Sequence, residues 1–189
     1  MTVFNSEKME QQAVETGAFL MALSVRTAPK TRGLDSVKMV VLSGADLEPL
    51  AKAMEAKAGE KSTDLPMFKR DADNVRTSSA VLLIGVSREP KRIELPLNCG
   101  ACGYGSCKGL LAAGRAAGED FRGPVCLFQA IDLGIALGSA AKMAAELNID
   151  NRIMYSVGAA AKKLRLLDSD VIIGIPLAAK GKNPYFDRP

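Results

Sequence analysis

Apolar side chains recur near helical spacing from Glu7 to about Arg26, at Met9, Ala13, Leu20, Met21 and Val25. Ser6 is available as an N-cap and Pro29 stands just past the end, so the pattern predicts a long opening helix. The β-branched run Val37 to Leu42, closed by Ser43-Gly44, predicts a strand, and a helical pattern resumes from Asp46 to about Lys57. A further helix is expected from Pro66 to Val75. It leads into Ala80 to Val86, whose unbroken apolar character suits a strand covered on both faces. Beyond residue 126 the pattern predicts a long helix from about Phe128 to Leu147, a short strand at Ile153 to Val157, a helix from Gly158 to Leu166 and a strand from Val171 to Pro176. Within the long helix Gly134, Gly138, Ala141 and Ala145 fall close to one face, which reads as tight packing of a central helix. The alternation of helices and strands gives an α+β fold class with layered α/β character, over one domain spanning 1–189.

Composition narrows the functional classes. A chain of 189 residues with 48% hydrophobic and 24% charged residues can bury a core without covalent staples. The net charge of +4 is spread along the chain without a basic block, and with no Trp and only 5% aromatic residues a stacking platform for nucleic acid is hard to assemble. No nucleic-acid partner is expected. Met1 to Lys8 lacks the charged-then-apolar pattern of a signal, and Gln129, Asp132, Lys142 and Glu146 interrupt the most apolar stretch, so a cytoplasmic protein without membrane insertion is expected.

That compartment keeps thiols reduced, which changes the reading of the cysteines. Cys99, Cys102 and Cys107 lie within nine residues, Cys126 follows after eighteen intervening residues, and the chain has no other cysteine. Gaps of two and four residues let one loop wrap three thiols around one face of a compact cluster while the fourth arrives from elsewhere. Gly100, Gly103 and Gly105 permit tight wrapping and close approach of backbone N–H groups to sulfur, and the stretch from Cys107 to about Ala117 reads as a helix that places Cys107 at its N-terminus. A four-cysteine zinc site is the competing metal reading, although structural zinc usually draws its ligands as two close pairs; unligated or disulfide-bonded cysteines are the remaining alternative. With no His in the chain, mixed His and Cys ligation is excluded.

The run Cys-Gly-Ala-Cys-Gly-Tyr-Gly-Ser-Cys from Cys99 to Cys107, with Gly118-Glu119-Asp120 and Cys126, resembles the small iron–sulfur domain of Rnf-type electron-transport subunits and corrinoid iron–sulfur proteins. That resemblance implies a [4Fe–4S] cluster on Cys99, Cys102, Cys107 and Cys126, embedded as a segment spanning 97–126. Arg26-Thr27-Ala28-Pro29 after the opening helix, the strand that follows, the glycine-rich long helix and Ile173-Gly174-Ile175-Pro176 resemble the nitroreductase family. Together the two resemblances suggest the ferredoxin-domain family of uncharacterised proteins. The nitroreductase likeness implies helices around a small mixed sheet, a homodimer and FMN at the subunit interface. Met1 to Glu10 contains no Arg where that family carries a pair for the flavin phosphate. Lys30 and Arg32, with Lys180, Lys182 and Arg188, are the candidates for holding an anion or that phosphate.

Three functions follow, in decreasing order of what the residues supply. The first is an iron–sulfur electron carrier or redox subunit serving a partner protein that the sequence does not identify. The second is an FMN-dependent reductase fed with electrons by the cluster. The third is an interaction protein with a structural metal site. No Ser or Cys nucleophile with an evident base, P-loop or dinucleotide fingerprint points to other chemistry.

Overall fold

The computed structural model describes residues 3–186, so Arg188 lies outside the described residues. The opening helix α1 covers Ser6–Thr27. Its cap is Asn5 rather than Ser6, the Asn5 side chain accepting from the N–H of Lys8 at 2.9 Å. Then come strand β1 (Lys38–Ser43), helix α2 (Leu47–Glu60), helix α3 (Met67–Arg76) and strand β2 (Ala80–Val86). A long excursion carries the short helix α4 (Cys107–Ala112) and a hairpin of strands β3 (Ala116–Ala117) and β4 (Arg122–Gly123). Helix α5 (Leu127–Glu146), strand β5 (Asp150–Asn151), helix α6 (Tyr155–Lys163) and strand β6 (Val171–Ala178) complete the described chain.

Four strands form one sheet in the order β1-β2-β6-β5. Every pairing is antiparallel, where a mixed sheet was expected. β2 is central and wholly buried, as its apolar run predicts. Its residues alternate between two apolar layers, because successive side chains of a strand point to opposite faces. Leu82, Ile84 and Val86 pack with Val14, Met21 and Val25 of α1 and with Leu133, Ala136 and Ala140 of α5. Val81 and Leu83 pack with Leu50 and Met54 of α2, Val75 of α3 and Val157 and Ala160 of α6. Helices therefore cover both faces of the sheet. α6 lies so close to β6 that a Cβ on Gly158 would stand 1.8 Å from the Ile172 carbonyl oxygen.

The differences from the predicted elements are local. The strand expected at Ile153 to Val157 is reduced to a single bridge between Met154 and Gly174, and α6 already begins at Tyr155. The helix expected from Cys107 to Ala117 stops at Ala112. The small-residue stripe of α5 is not internal packing, since a Cβ on Gly134 or Gly138 would meet nothing within 4 Å. That face of α5 points outward together with the exposed Ile131 and Ile135, and α1, against which α5 packs, exposes Phe19 and Leu23. Among the described residues α5 is the one helix whose length and composition would let it cross a membrane, and 39% of its most apolar window is buried against the rest of the chain.

Candidate metal centre

The cysteine segment leaves the end of β2 and returns to the chain at the start of α5, so its two ends are fastened beside the end of a central strand. Asn98 closes the first loop. Its side-chain oxygen accepts the N–H of Cys107 at 2.9 Å, clasping both ends of the run that carries Cys99, Cys102 and Cys107. Asn98 itself has φ of 47°, a left-handed conformation that Asn tolerates better than most residues. Inside the clasp, Gly100 and Gly103 have φ of 76° and 85°, and the N–H of Gly103 donates to the Gly100 carbonyl at 2.9 Å. The loop thus uses the left-handed backbone that its glycines allow. Ser106 caps α4 by accepting the N–H of Gly109 at 3.0 Å, which makes Cys107 the first residue of that helix.

Cys126 stands at the N-cap position of α5. The thiol is buried, and burial pushes its pKa up; the N–H groups of Phe128 and Gln129 pull it down again, and Cys102 and Cys107 push it up as like-charged neighbours. Cys102 and Cys107 therefore lie within electrostatic reach of Cys126. Cys99 joins them through a small cavity that it lines together with Cys107, Thr31, Pro90, Lys91 and Phe128. Burial falls across the set, from buried Cys126 through half-buried Cys102 and Cys107 to exposed Cys99. Among the described residues no group of three or more His, Cys, Asp or Glu side chains is gathered tightly enough for a single metal ion. An iron–sulfur cluster makes a different demand, since its ligands surround a core of several irons and sulfides rather than one atom. Cys99 and Cys107 line one small cavity, and Cys126 lies within electrostatic reach of Cys102 and Cys107 with helix-terminal N–H groups aimed at its sulfur, which suits that demand.

The supporting shell was not visible as such in the sequence. Arg88, only 3% exposed, holds both arms of the segment. Its carbonyl accepts the N–H of Cys126 at 3.0 Å. Its guanidinium donates to the carbonyls of Leu110 and Ala113 at the end of α4, which ends that helix early by capping it with a cation. Behind Cys126, Gln129 and Asp132 project from the buried side of α5. Gln129 donates to the Glu89 carbonyl at 2.6 Å and accepts from Ser36 at 2.9 Å. Asp132 pairs with Lys91 at 2.9 Å and accepts from both the N–H and the hydroxyl of Thr31. Of the polar residues that break the apolar pattern of α5, Gln129 and Asp132 are thus buried and partnered, tying the loops around residues 30 and 90 to the start of the helix, whereas Lys142 and Glu146 are exposed and pair with each other.

The same shell decides what Lys30 and Arg32 do. The Lys30 ammonium donates to the carbonyls of Val25 and Arg26, so it caps the C-terminus of α1. Burial lowers its pKa, with Asp35 opposing that shift. Arg32, at φ of 59°, donates to the Leu95 carbonyl and ties its loop to the segment leading into the cysteines. Lys30 is thus engaged by two main-chain oxygens and Arg32 by one.

The β3–β4 hairpin between Cys107 and Cys126 has its own anchor. Asp120, its side chain 3% exposed, receives Lys57 of α2 at 2.6 Å, Lys61 and the Tyr155 hydroxyl. Burial alone would raise the Asp120 pKa, but the hydrogen bonds from Lys57, Lys61 and Tyr155 hold it below the ordinary carboxylate value. The Tyr155 ring packs edge-on against Phe68 and Phe121, sealing the pair from the side. The Gly118-Glu119-Asp120 run is therefore a docking point for the hairpin.

Solved structures share the fold at low identity. A nitroreductase family protein from Clostridium novyi NT superposes with a TM-score of 0.52 over 95% of this chain and 77% of its own, at 14% identity. A nitroreductase with bound FMN from Desulfitobacterium hafniense DCB-2 gives 0.53 over 92% and 83%, at 12% identity. A protein of Archaeoglobus fulgidus, described only as uncharacterized, is 47% identical over 188 residues, covering 98% of this chain and 97% of its own. Residues 122–188 match the family described as uncharacterized protein containing a ferredoxin domain (DUF2148). The chain has the nitroreductase fold and belongs to that ferredoxin-domain family.

Proposed function

We propose that this chain is an iron–sulfur redox protein that holds one [4Fe–4S] cluster on Cys99, Cys102, Cys107 and Cys126 and exchanges single electrons with a partner protein in the cytoplasm. The observation that carries the reading is that an Asn98-clasped glycine loop presents three of the thiols, two of them within electrostatic reach of Cys126 at the α5 N-terminus. The ferredoxin-domain family supports it. When bound, the cluster supplies a one-electron couple whose potential depends on hydrogen bonds and burial. The chain's own residues do the rest. Phe128 and Gln129 direct N–H groups at Cys126, Arg88 fixes the spacing between the two arms, and exposed Cys99 marks the side from which a partner can approach. The segment spanning 97–126 is then an inserted electron port on the nitroreductase scaffold.

The outward stripe of α5 supports a homodimer as part of this reading. Phe19 (63% exposed) and Leu23 (59%) of α1 and Ile131 (41%) and Ile135 (38%) of α5 are exposed apolar side chains on two helices that pack together, and Gly134 and Gly138 leave room for a close neighbour. A second reading, a flavin-dependent reductase using the cluster as electron inlet, is favoured by the fold shared with the FMN-bound Desulfitobacterium protein. A flavin phosphate would compete with the carbonyl bonds of Lys30 and share Arg32 with the Leu95 carbonyl. Anaerobic reconstitution separates the two. A broad visible absorbance that bleaches on one-electron reduction, without flavin, supports the carrier; stoichiometric flavin recruited from solution supports the reductase.

A further inference from the structure

A cavity of about 450 Å³ lies between the β3–β4 hairpin and the turn from α6 to β6, and four of the side chains lining it are cationic: Arg115, Arg122, Lys162 and Arg165. They come from two separate parts of the chain. Its two carboxylates already have partners on the protein. Asp168 pairs with Lys38 at 2.6 Å; Asp170 pairs with Arg115 at 3.0 Å and accepts the N–H of Arg88 at 2.8 Å. Lys162 donates to the Ser169 carbonyl. Arg122 and Arg165 have no hydrogen-bond or ion-pair partner among the described residues, and Arg165 is held at φ of 55° in the turn.

We propose that this cavity is a binding site for a small diphosphate-bearing molecule. Guanidinium forks match phosphoryl oxygens in pairs, and two of them face the cavity with their donors unused. A volume of about 450 Å³ is that of a small-ligand pocket, larger than one phosphate needs. No aromatic ring lines it, so recognition falls on the diphosphate rather than on a stacked base. Gathering like charges without an anion disfavours the folded chain, whereas a diphosphate neutralises them. The site stands apart from the cysteines and its existence does not depend on the cluster. It is nevertheless one residue away from them, since Arg88, held by Asp170, is the residue whose carbonyl holds Cys126.

Calorimetric titration of the purified full chain with inorganic phosphate, pyrophosphate and ADP, at low and at near-physiological ionic strength, tests this proposal. Saturable one-to-one binding is expected for pyrophosphate and ADP, at least tenfold tighter than for phosphate. Equal affinity for the two assigns recognition to the diphosphate alone, and tighter ADP binding assigns a share to the nucleoside. The double variant R122A/R165A is expected to bind at least tenfold more weakly, whereas K52A/K69A, which removes two exposed cations elsewhere, binds as the parent does. Ligand-free R122A/R165A is expected to melt no lower than the parent and to lose the rise in melting temperature that pyrophosphate gives the parent. Absence of saturable binding, or equal weakening in both double variants, would overturn the proposal, as would a ligand-free R122A/R165A that melts well below the parent.

Discussion

The N–H of Cys126 donates to the carbonyl of Arg88 at 3.0 Å, and the side chain of the same Arg88 reaches the last carbonyls of the helix that begins at Cys107. One buried residue thereby links the fourth thiol to the helix carrying the third. Its place at the exit of the central strand makes the sheet the frame on which both arms are set.

Replacing Arg88 by Met keeps the carbonyl that receives Cys126 but leaves the carbonyls of Leu110 and Ala113 buried without a charged donor. The expected cost is about 2–3 kcal/mol of stability, with faster loss of iron from the loaded protein. Denaturant unfolding of the metal-free chain and the rate of iron release to a chelator check the two effects.

Asp120→Asn leaves the buried ammonium groups of Lys57 and Lys61 facing an amide, and breaking such a pair costs about 3–5 kcal/mol. The pH dependence has a fixed sign. Because the folded-state pKa of Asp120 lies below its unfolded value, its contribution is fully present above the unfolded value near the ordinary carboxylate pKa. It is lost as pH falls through the folded value. The parent should therefore show an acid-induced drop in stability that Asp120→Asn flattens, measured as denaturation midpoint against pH.

Gly158 should behave in the opposite way to Gly134 and Gly138. Gly158→Ala drives a Cβ into the Ile172 backbone, which cannot move without displacing β6, and should cost about 3 kcal/mol. Gly134→Ala and Gly138→Ala meet nothing within the chain and should raise the stability of α5 by up to about 1 kcal/mol each. If the outward stripe packs against a second copy, the same two substitutions weaken self-association at least tenfold. Sedimentation across a concentration series reads the second effect and thermal melting the first.

How far the sequence discloses this molecule depends on the length of each signal. α1, β1, α2, α3, β2, α5 and β6 are legible because each carries enough apolar positions to show a period or an unbroken run. β3, β4 and β5 have two residues each, too few for alternation to register. The start of α6 was obscured because Ile153 and Val157 suit a strand by composition, while the geometry uses Met154 for one bridge and turns at once into the helix. The four cysteines are legible from spacing. Their support is not, because Arg88, Gln129 and Asp132 look in the sequence like ordinary polar residues and gain their roles only when distant loops meet them. Asn98 was the nearest to a visible signal, standing directly before Cys99 at the mouth of a glycine loop. The small-residue stripe on α5 was seen and misplaced, since periodicity shows that a face exists and not what covers it.

The central claim is that the four thiols hold one four-iron cluster, and the direct test is the iron and acid-labile sulfide content per chain of the anaerobically prepared protein, parent beside Cys126→Ser. The account predicts about four of each in the parent, as that cluster type requires, and a clear loss or conversion of the cluster in the variant. Zinc in place of iron, or an unchanged four-iron content after Cys126→Ser, would contradict it.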